Sequence, residues 1–131
     1  MLYKRFNDTY MLRIDKGEEV IRSLTELCEK ENIRLAQVDA IGAANSAAIG
    51  VYDLETASYH REDLPFFVEI ASLSGSVTEM NGKPYIHLHT TLADQQNKTQ
   101  SLICRILKCV RRELPLVKCS STGLTIGCIT G

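Results

Sequence analysis

The clearest periodic segment of the chain lies between residues 18 and 32, where apolar side chains recur at helical spacing. The recurring positions are Val20, Ile21, Leu24, Leu27 and Cys28. Together they form one apolar stripe along a helix. Glu18 and Glu19 open the segment, where the helix dipole favours negative charge, and Asn32 is a suitable stop. The pattern therefore predicts a helix over 18–32 with one face in the core.

Most other segments have the apolar, β-branched or alternating character of strands. They are 2–14, which predicts one or two short strands, and 35–41, 47–52, 58–63, 66–77 and 85–92. Asn81-Gly82 between the last two is a strong hairpin signal, and Gly75 indicates a bulge or a close backbone contact. Many strands with one early helix predict an α+β fold. We expect a mostly antiparallel or mixed β-sheet packed with one or two helices, in a single domain over 1–131.

A run of small residues, Gly42-Ala43-Ala44-Asn45-Ser46, separates two of these predicted strands. Gly42 and Asn45 tolerate unusual backbone angles, which favours a tight turn. Small side chains also let a ligand or another chain approach closely. The residues alone leave both interpretations open.

The segment after residue 100 has a second stripe at helical spacing, accompanied by basic residues. Ile103, Ile106, Leu107 and Val110 form the stripe, which predicts a helix. The basic residues are Arg105, Lys108, Arg111 and Arg112, with Lys118 nearby. Such a cluster is either a solvated face or a patch for nucleic acid. The net charge of −1 favours the solvated face.

Composition and charge place the chain among ordinary globular proteins. It has 131 residues, 44% hydrophobic and 24% charged, which argues against disorder. No apolar run approaches the ~20 residues of a membrane helix, and the N-terminal stretch lacks an apolar signal segment. We therefore expect a cytoplasmic protein with no membrane partner. Five cysteines, an odd number with no Cys-x-x-Cys pair, favour reduced thiols.

The candidate chemistry lies in the stretch YIHLHTTLAD, which holds two of the three histidines. Alternate residues of a strand face the same way, so His87 and His89 project side by side, opposite the apolar face. They could hold zinc or form a hydrogen-bonded pair on the sheet surface. A catalytic zinc site needs at least three protein ligands. Candidate third ligands are His60, Glu69, Asp94 or a cysteine. No Gly-x-Ser-x-Gly, phosphate loop or dinucleotide fingerprint is present.

Four stretches, taken in order, resemble a known family. They are RIDKGEEVIRSLTELCEKENI (13–33), VDAIGAANSAAIGVYD (38–53), EIASLSGSV (69–77) and GKPYIHLHTTLAD (82–94). Their register over about residues 10–94 resembles the PPC domain, the plant and prokaryote conserved domain, also called domain of unknown function 296. The resemblance implies a compact α+β domain that forms a homotrimer.

The same resemblance implies a function and a site. In plants the domain follows AT-hook DNA-binding motifs and mediates assembly, whereas stand-alone prokaryotic members lack the hook and have no defined biochemical role. The fold is similar to that of acetolactate decarboxylase, a zinc enzyme. In that wider group a His-x-His pair, matched here by His87 and His89, joins a later histidine at a metal site. Gly42, Ala43, Asn45 and Ser46 match a segment expected near the pocket or a subunit contact.

The chain departs from the family pattern after Asp94. The family continues with a Gly-Gly-His-Leu segment, whereas this chain reads QQNKTQSL and has no histidine after His89. This tail is either a divergence or the product of a shifted reading frame. Thr122-Gly123-Leu124 resembles the usual family ending, at a shorter interval. The histidine expected as the third ligand is therefore missing.

The sequence supports three functions in this order. The first is a homotrimeric binding or assembly module. The second is a zinc-dependent enzyme of lyase or hydrolase type that uses the His-x-His pair. The third is association with DNA, by analogy with the plant proteins.

Overall fold

A computed structural model of the chain describes residues 1–96, 98–109 and 116–120, and for residues 100–109 and 116–120 it describes the backbone alone. The described part contains mostly antiparallel β-strands and one helix, which confirms the predicted fold class. The elements are β1 (Leu2–Phe6), β2 (Thr9–Arg13), α1 (Val20–Lys30), β3 (Ala36–Asp53), β4 (Ser58–Leu64), β5 (Val68–Met80), β6 (Lys83–Ala93), β7 (Thr99–Cys109) and β8 (Leu116–Ser120).

The strands form one sheet in which the long strand β3 is central. The sheet order is β1-β2-β8-β3-β5-β6-β7, and β4 pairs with β3. Residues 36–44 of β3 pair with β5, and residues 44–50 pair with β7. Because β5, β6 and β7 are also neighbours in sequence and in the sheet, these four strands close on themselves.

Helix α1 begins and ends slightly inside the predicted limits. Glu19 is the N-cap residue, and its carboxylate accepts hydrogen bonds from the backbone N–H groups of Ile21 and Arg22, at 2.9 and 2.7 Å. Such a cap satisfies N–H groups that have no partner within the helix. Glu18 lies outside the helix, where its carboxylate accepts from the N–H of Asp15. Beyond the helix Asn32 has a φ of 53°, the left-handed conformation that stops a helix.

The apolar stripe of α1 joins one hydrophobic cluster with the inward residues of the strands. Leu24 and Leu27 are fully buried there, as are Val38 on β3 and Leu88 on β6. The predicted alternations around residues 36–40 and 86–92 are thereby confirmed. Within the described residues, no helix has the length and apolar character to cross a membrane.

Strand β5 contains a bulge that its sequence pattern did not predict. Ile70 pairs with Leu92, and Ser72 pairs with Thr91, so Ala71 is the extra residue. Before the bulge the even-numbered residues Val68 and Ile70 are buried. After the bulge the odd-numbered residues Leu73 and Val77 are buried instead. The strict alternation expected over 66–77 was therefore wrong at this point. The buried hydroxyl of Thr90 donates to the carbonyl of Ser72 at 3.0 Å, beside the bulge.

The helix predicted around Ile103, Ile106 and Leu107 was wrong, because β7 occupies Thr99–Cys109. This strand pairs with β6 on one side and with β3 on the other. Pairing on both sides favours an extended backbone whatever the local spacing of apolar residues. Val110, the last member of the predicted stripe, lies outside the described residues.

Candidate functional site

The two histidines of β6 lie next to each other on the face opposite the core. Their Nε2 atoms are 3.0 Å apart, and their ring centroids are 5.0 Å apart at an interplanar angle of 66°. His89 is exposed and His87 is half-buried, whereas Leu88 between them is fully buried. The predicted side-by-side projection is therefore confirmed. Without a metal, one neutral ring can donate its Nε2–H to the Nε2 atom of the other.

Polar residues of β5 and β3 flank the pair on one side, whereas on the other side His89 is opposite Ile103 of β7. The strand register forms two rows across the sheet, Asp39–Ser74–His89 and Gln37–Ser76–His87. The β5 neighbours in both rows are serines, whose side chains are much shorter than an imidazole. The two imidazole rings therefore extend further from the sheet than the side chains beside them on β5.

Gly75 brings β5 unusually close to the backbone that carries the histidines. It pairs with Leu88, and a Cβ atom built on it would lie 2.0 Å from the carbonyl oxygen of His87. No side chain fits at that distance, so the position requires glycine. This confirms the close backbone contact that was one of two interpretations of Gly75. The bulge, the other interpretation, lies at Ala71 instead.

The His87–His89 pair fits two ligand positions of a zinc ion. Two nitrogens bound at 2.0–2.1 Å in a tetrahedral site lie about 3.3–3.4 Å apart. The observed 3.0 Å is close to that spacing, and binding would also require the rings to turn until both Nε2 lone pairs point at one ion. Within the described residues, however, no three His, Cys, Asp or Glu side chains form a group that could hold a metal. The pair is therefore an incomplete zinc site in one chain.

The predicted third ligands have other surroundings. His60 lies on β4, where its Nε2 atom pairs with the Asp53 carboxylate at 3.2 Å. Asp94 accepts hydrogen bonds from two backbone N–H groups of its own loop. Glu69 is exposed near the start of β5, opposite Ala93 at the far end of β6.

The cysteines do not complete the site among the described side chains. Cys28 lies on the buried face of α1, and burial raises the pKa of its thiol to about 11, with a further contribution from Glu29. Cys104 on β7 is opposite Leu88 rather than opposite a histidine. Cys109 and Cys119 are described by backbone alone, and Cys128 lies outside the described residues.

The run of small residues is not a turn but the middle of strand β3, which corrects the tight-turn interpretation. Gly42, Ala43 and Ala44 are buried, Ser46 is half-buried and Asn45 is exposed. Here β3 exchanges β5 for β4 along one edge and β8 for β7 along the other, with register shifts in the β5 and β7 pairings. Small side chains leave room where these neighbouring strands meet. The role of Gly42, Ala43, Asn45 and Ser46 in a pocket or subunit contact stays a prediction.

Ser46 also lines an open groove of about 260 Å³ between β3 and the end of β4. Ala48, Arg61 and Asp63 line the groove as well, and neither histidine does. The Arg61 guanidinium forms an ion pair with Asp63 at 2.7 Å.

The hairpin formed by residues 51–60, which we call the β3–β4 arm, exposes several large apolar side chains. Val51, Tyr52, Leu54 and Tyr59 are all exposed, and Leu54 at the tip is 86% exposed. The rings of Tyr52 and Tyr59 pack edge to face, with centroids 4.9 Å apart. The sequence predicted strands over 47–52 and 58–63 but not this surface. The sequence signal that could have predicted this surface is the density of large apolar residues on both sides of a polar turn.

Asp53 holds the turn of the β3–β4 arm in place. Its carboxylate pairs with the ring of His60 and accepts hydrogen bonds from the N–H groups of Glu55 and Thr56. The hydrogen bond with His60, followed by those of Thr56 and Glu55, lowers the pKa of Asp53 below its ordinary value. The arm therefore has a defined turn rather than a loose tip.

Three basic residues near the C-terminus, those that the structure describes, lie on strands rather than on a helix. Lys108 on β7 is opposite Ser46, and Lys118 on β8 lies between Met11 and Asp39. Arg105 also lies on β7, and Arg111 and Arg112 fall outside the described residues.

Comparisons with known proteins agree on one family and one fold. The model of the Plants and Prokaryotes Conserved (PCC) domain matches residues 1–103. A plant- and prokaryote-conserved (PPC) protein of Pyrococcus horikoshii has a similar structure, with a TM-score of 0.78 at 22% identity over 99% of this chain and 82% of that chain. None of the curated protein sequences matches this chain.

Two further solved structures are similar. A candidate DNA-binding protein of Bacteroides thetaiotaomicron has a TM-score of 0.85 at 20% identity, over 92% of this chain and 82% of that chain. A metal-containing protein of Archaeoglobus fulgidus has a TM-score of 0.78 at 27% identity, over 99% of this chain and 88% of that chain.

Proposed function

Because this chain belongs to the Plants and Prokaryotes Conserved domain family, we propose that it is a binding module that assembles with itself as a homotrimer. The family resemblance implies the trimer. The observation that carries the proposal for this chain is the apolar surface of the β3–β4 arm.

The β3–β4 arm exposes a group of large apolar and aromatic side chains. Val51 is 50% exposed and Leu54 is 86% exposed, and the exposed rings of Tyr52 and Tyr59 lie on the same hairpin. Single exposed apolar residues are common, but a group of them indicates a surface for another protein. A second and third copy of the chain are the partners that the family resemblance implies.

Sedimentation velocity at micromolar concentration tests the assembly. We expect the wild type to be a trimer. We expect the trimer of the Val51→Ser, Leu54→Ser double variant to dissociate at a higher protein concentration than that of the wild type. Leu35→Ser is the matched control, because Leu35 is 64% exposed outside the arm. A wild-type monomer at these concentrations would contradict the trimer. If Leu35→Ser weakened the trimer equally, the arm would have no special role in assembly.

Zinc binding is the second candidate function, and with it a zinc-dependent enzyme of lyase or hydrolase type. The 3.0 Å separation of the His87 and His89 Nε2 atoms supports zinc binding. The similar Archaeoglobus fulgidus protein is metal-containing, which supports the same proposal. An enzyme would need a third protein ligand besides an open position for substrate. Elemental mass spectrometry of untagged protein, beside a His87→Ala, His89→Ala variant, measures whether zinc is held.

Association with DNA is the third candidate. A similar structure is that of a candidate DNA-binding protein, and this chain carries basic residues on β7 and β8. The net charge of −1 provides no overall attraction to the negatively charged phosphate backbone of DNA. Binding to duplex DNA should therefore be weak, decrease steeply with salt, and decrease further in a Lys108→Ala, Lys118→Ala variant. Binding that does not respond to salt would contradict this mode.

A further inference from the structure

The histidine pair provides half of a closed zinc site. Structural zinc ions take four ligands in tetrahedral geometry, and imidazole nitrogens are among the preferred ligands. His87 and His89 supply two, and no third described side chain joins them. One chain therefore leaves two zinc positions without a protein ligand among its described residues.

The free side of the pair faces outwards from the sheet. His89 is exposed, and the β5 neighbours of the two histidines are the short side chains of Ser74 and Ser76. Leu88 and Thr90 project to the buried face. A zinc ion held by the two Nε2 atoms would therefore lie at the protein surface, where another protein can approach it.

We propose that a zinc ion bridges two copies of this chain through His87 and His89 of each copy. A second copy brings an identical pair, so a two-fold axis through the ion supplies the four imidazole nitrogens of a tetrahedral site. Each pair opens only slightly from its present 3.0 Å separation to bind. Zinc thus controls a contact that is separate from the β3–β4 arm.

This inference rests on the zinc binding proposed for His87 and His89, but it does not depend on the proposed trimer. If the chain is a monomer, zinc joins two monomers and the mass doubles. If the chain is a trimer, each trimer carries three histidine pairs, so zinc joins trimers to one another and the mass at least doubles. In both cases the stoichiometry is one zinc ion for two chains. A site completed within one chain would instead bind one zinc ion per chain without any change of mass.

The test is sedimentation velocity of the full chain in EDTA and after addition of zinc chloride, with bound zinc measured in the same samples. We expect the mass at least to double at half a zinc ion per chain. We expect His87→Ala and His89→Ala each to abolish both effects. His60→Ala is the matched control. Compared with its own mass in EDTA, it should keep the zinc-dependent increase in mass and the zinc stoichiometry of the wild type, because His60 is an exposed histidine of another strand.

Three results would overturn the proposal. One is a full zinc ion per chain at unchanged mass, and another is no retained zinc at all. The third is zinc-dependent doubling that survives in both histidine variants, which would assign the contact to the cysteines. A cobalt-substituted sample separates imidazole from thiolate ligands, because only thiolates give an intense charge-transfer band in the near ultraviolet. The mass in EDTA reports on the proposed trimer independently.

Discussion

Replacing Gly75 by alanine tests whether the close approach of β5 to β6 sets the position of the histidine pair. The added Cβ atom would lie 2.0 Å from the carbonyl oxygen of His87 and 2.9 Å from the Cα atom of Leu88. Ordinary van der Waals contact begins near 3.4 Å, so the strands must separate locally by more than about 1 Å. Both neighbours are backbone atoms, and no side-chain rotation can relieve the contact.

The sign of the stability change makes this experiment decisive. Where the backbone accepts alanine, Gly→Ala stabilises a protein by about 0.4–1 kcal/mol through the unfolded chain. At Gly75 we expect the opposite, a loss of about 1–3 kcal/mol or more in the free energy of unfolding. The displaced backbone carries His87, so zinc-dependent doubling should weaken as well.

Urea unfolding followed by far-ultraviolet circular dichroism measures the change, at equal protein concentration because the chain is expected to self-associate. Gly50→Ala is the matched control, since its Cβ atom would lie 3.0 Å from the carbonyl oxygen of His60 and needs a smaller shift. We expect Gly75→Ala to lose clearly more stability than Gly50→Ala. A Gly75→Ala protein as stable as the wild type would refute the argument from strand spacing.

Three other predictions concern the core, the helix end and a thiol. Thr90→Val should lower the free energy of unfolding by about 0.5–1.5 kcal/mol in urea, because the hydrogen bond from the buried Thr90 hydroxyl to the carbonyl of Ser72 is lost, whereas Thr90→Ser should lose less. Hydrogen bonds from two tyrosine hydroxyls lower the pKa of Glu31 below 4.5, so its stabilisation is complete above that pH and disappears as the pH falls through the lower folded-state pKa. Melting temperatures measured through that range should therefore decrease more in the wild type than in Glu31→Gln, and parallel curves would contradict the effect. Cys28 should resist alkylation at about pH 8 in the native protein and react in denaturant, because burial raises the pKa of its thiol to about 11. Peptide mass spectrometry measures the modification, and rapid alkylation of the native protein would contradict the burial.

Elements with strong local signals were predicted correctly. The stripe of α1, the Asn81-Gly82 hairpin and the alternation on β6 depend on residues close together in the chain. Asn81 and Gly82 indeed have φ values of 54° and 74°, as a tight hairpin turn requires. The side-by-side projection of His87 and His89 follows from the same period of two.

Elements decided by distant partners were predicted poorly. β7 is a strand because β6 and β3 pair with its two edges, although its apolar residues have helical spacing. The small residues from Gly42 to Ser46 continue β3 because neighbouring strands pair with it there, β5 on one edge and β7 on the other. A short apolar run fits a buried strand or a helix equally well until its neighbours are known.

For the candidate site, the sequence by itself determined the pair of histidines on one face of a strand, and the lack of any histidine after His89. The tertiary structure alone decided that Ser74 and Ser76 flank the pair and that Gly75 packs against the backbone of His87. It also decided that His60, Asp94 and Glu69 do not form a three-ligand group with the pair. The physical reason is the distance along the chain over which each property is decided. Side-chain direction along a strand is a local property of the backbone, whereas the neighbours across a sheet are chosen by register, bulges and burial throughout the fold.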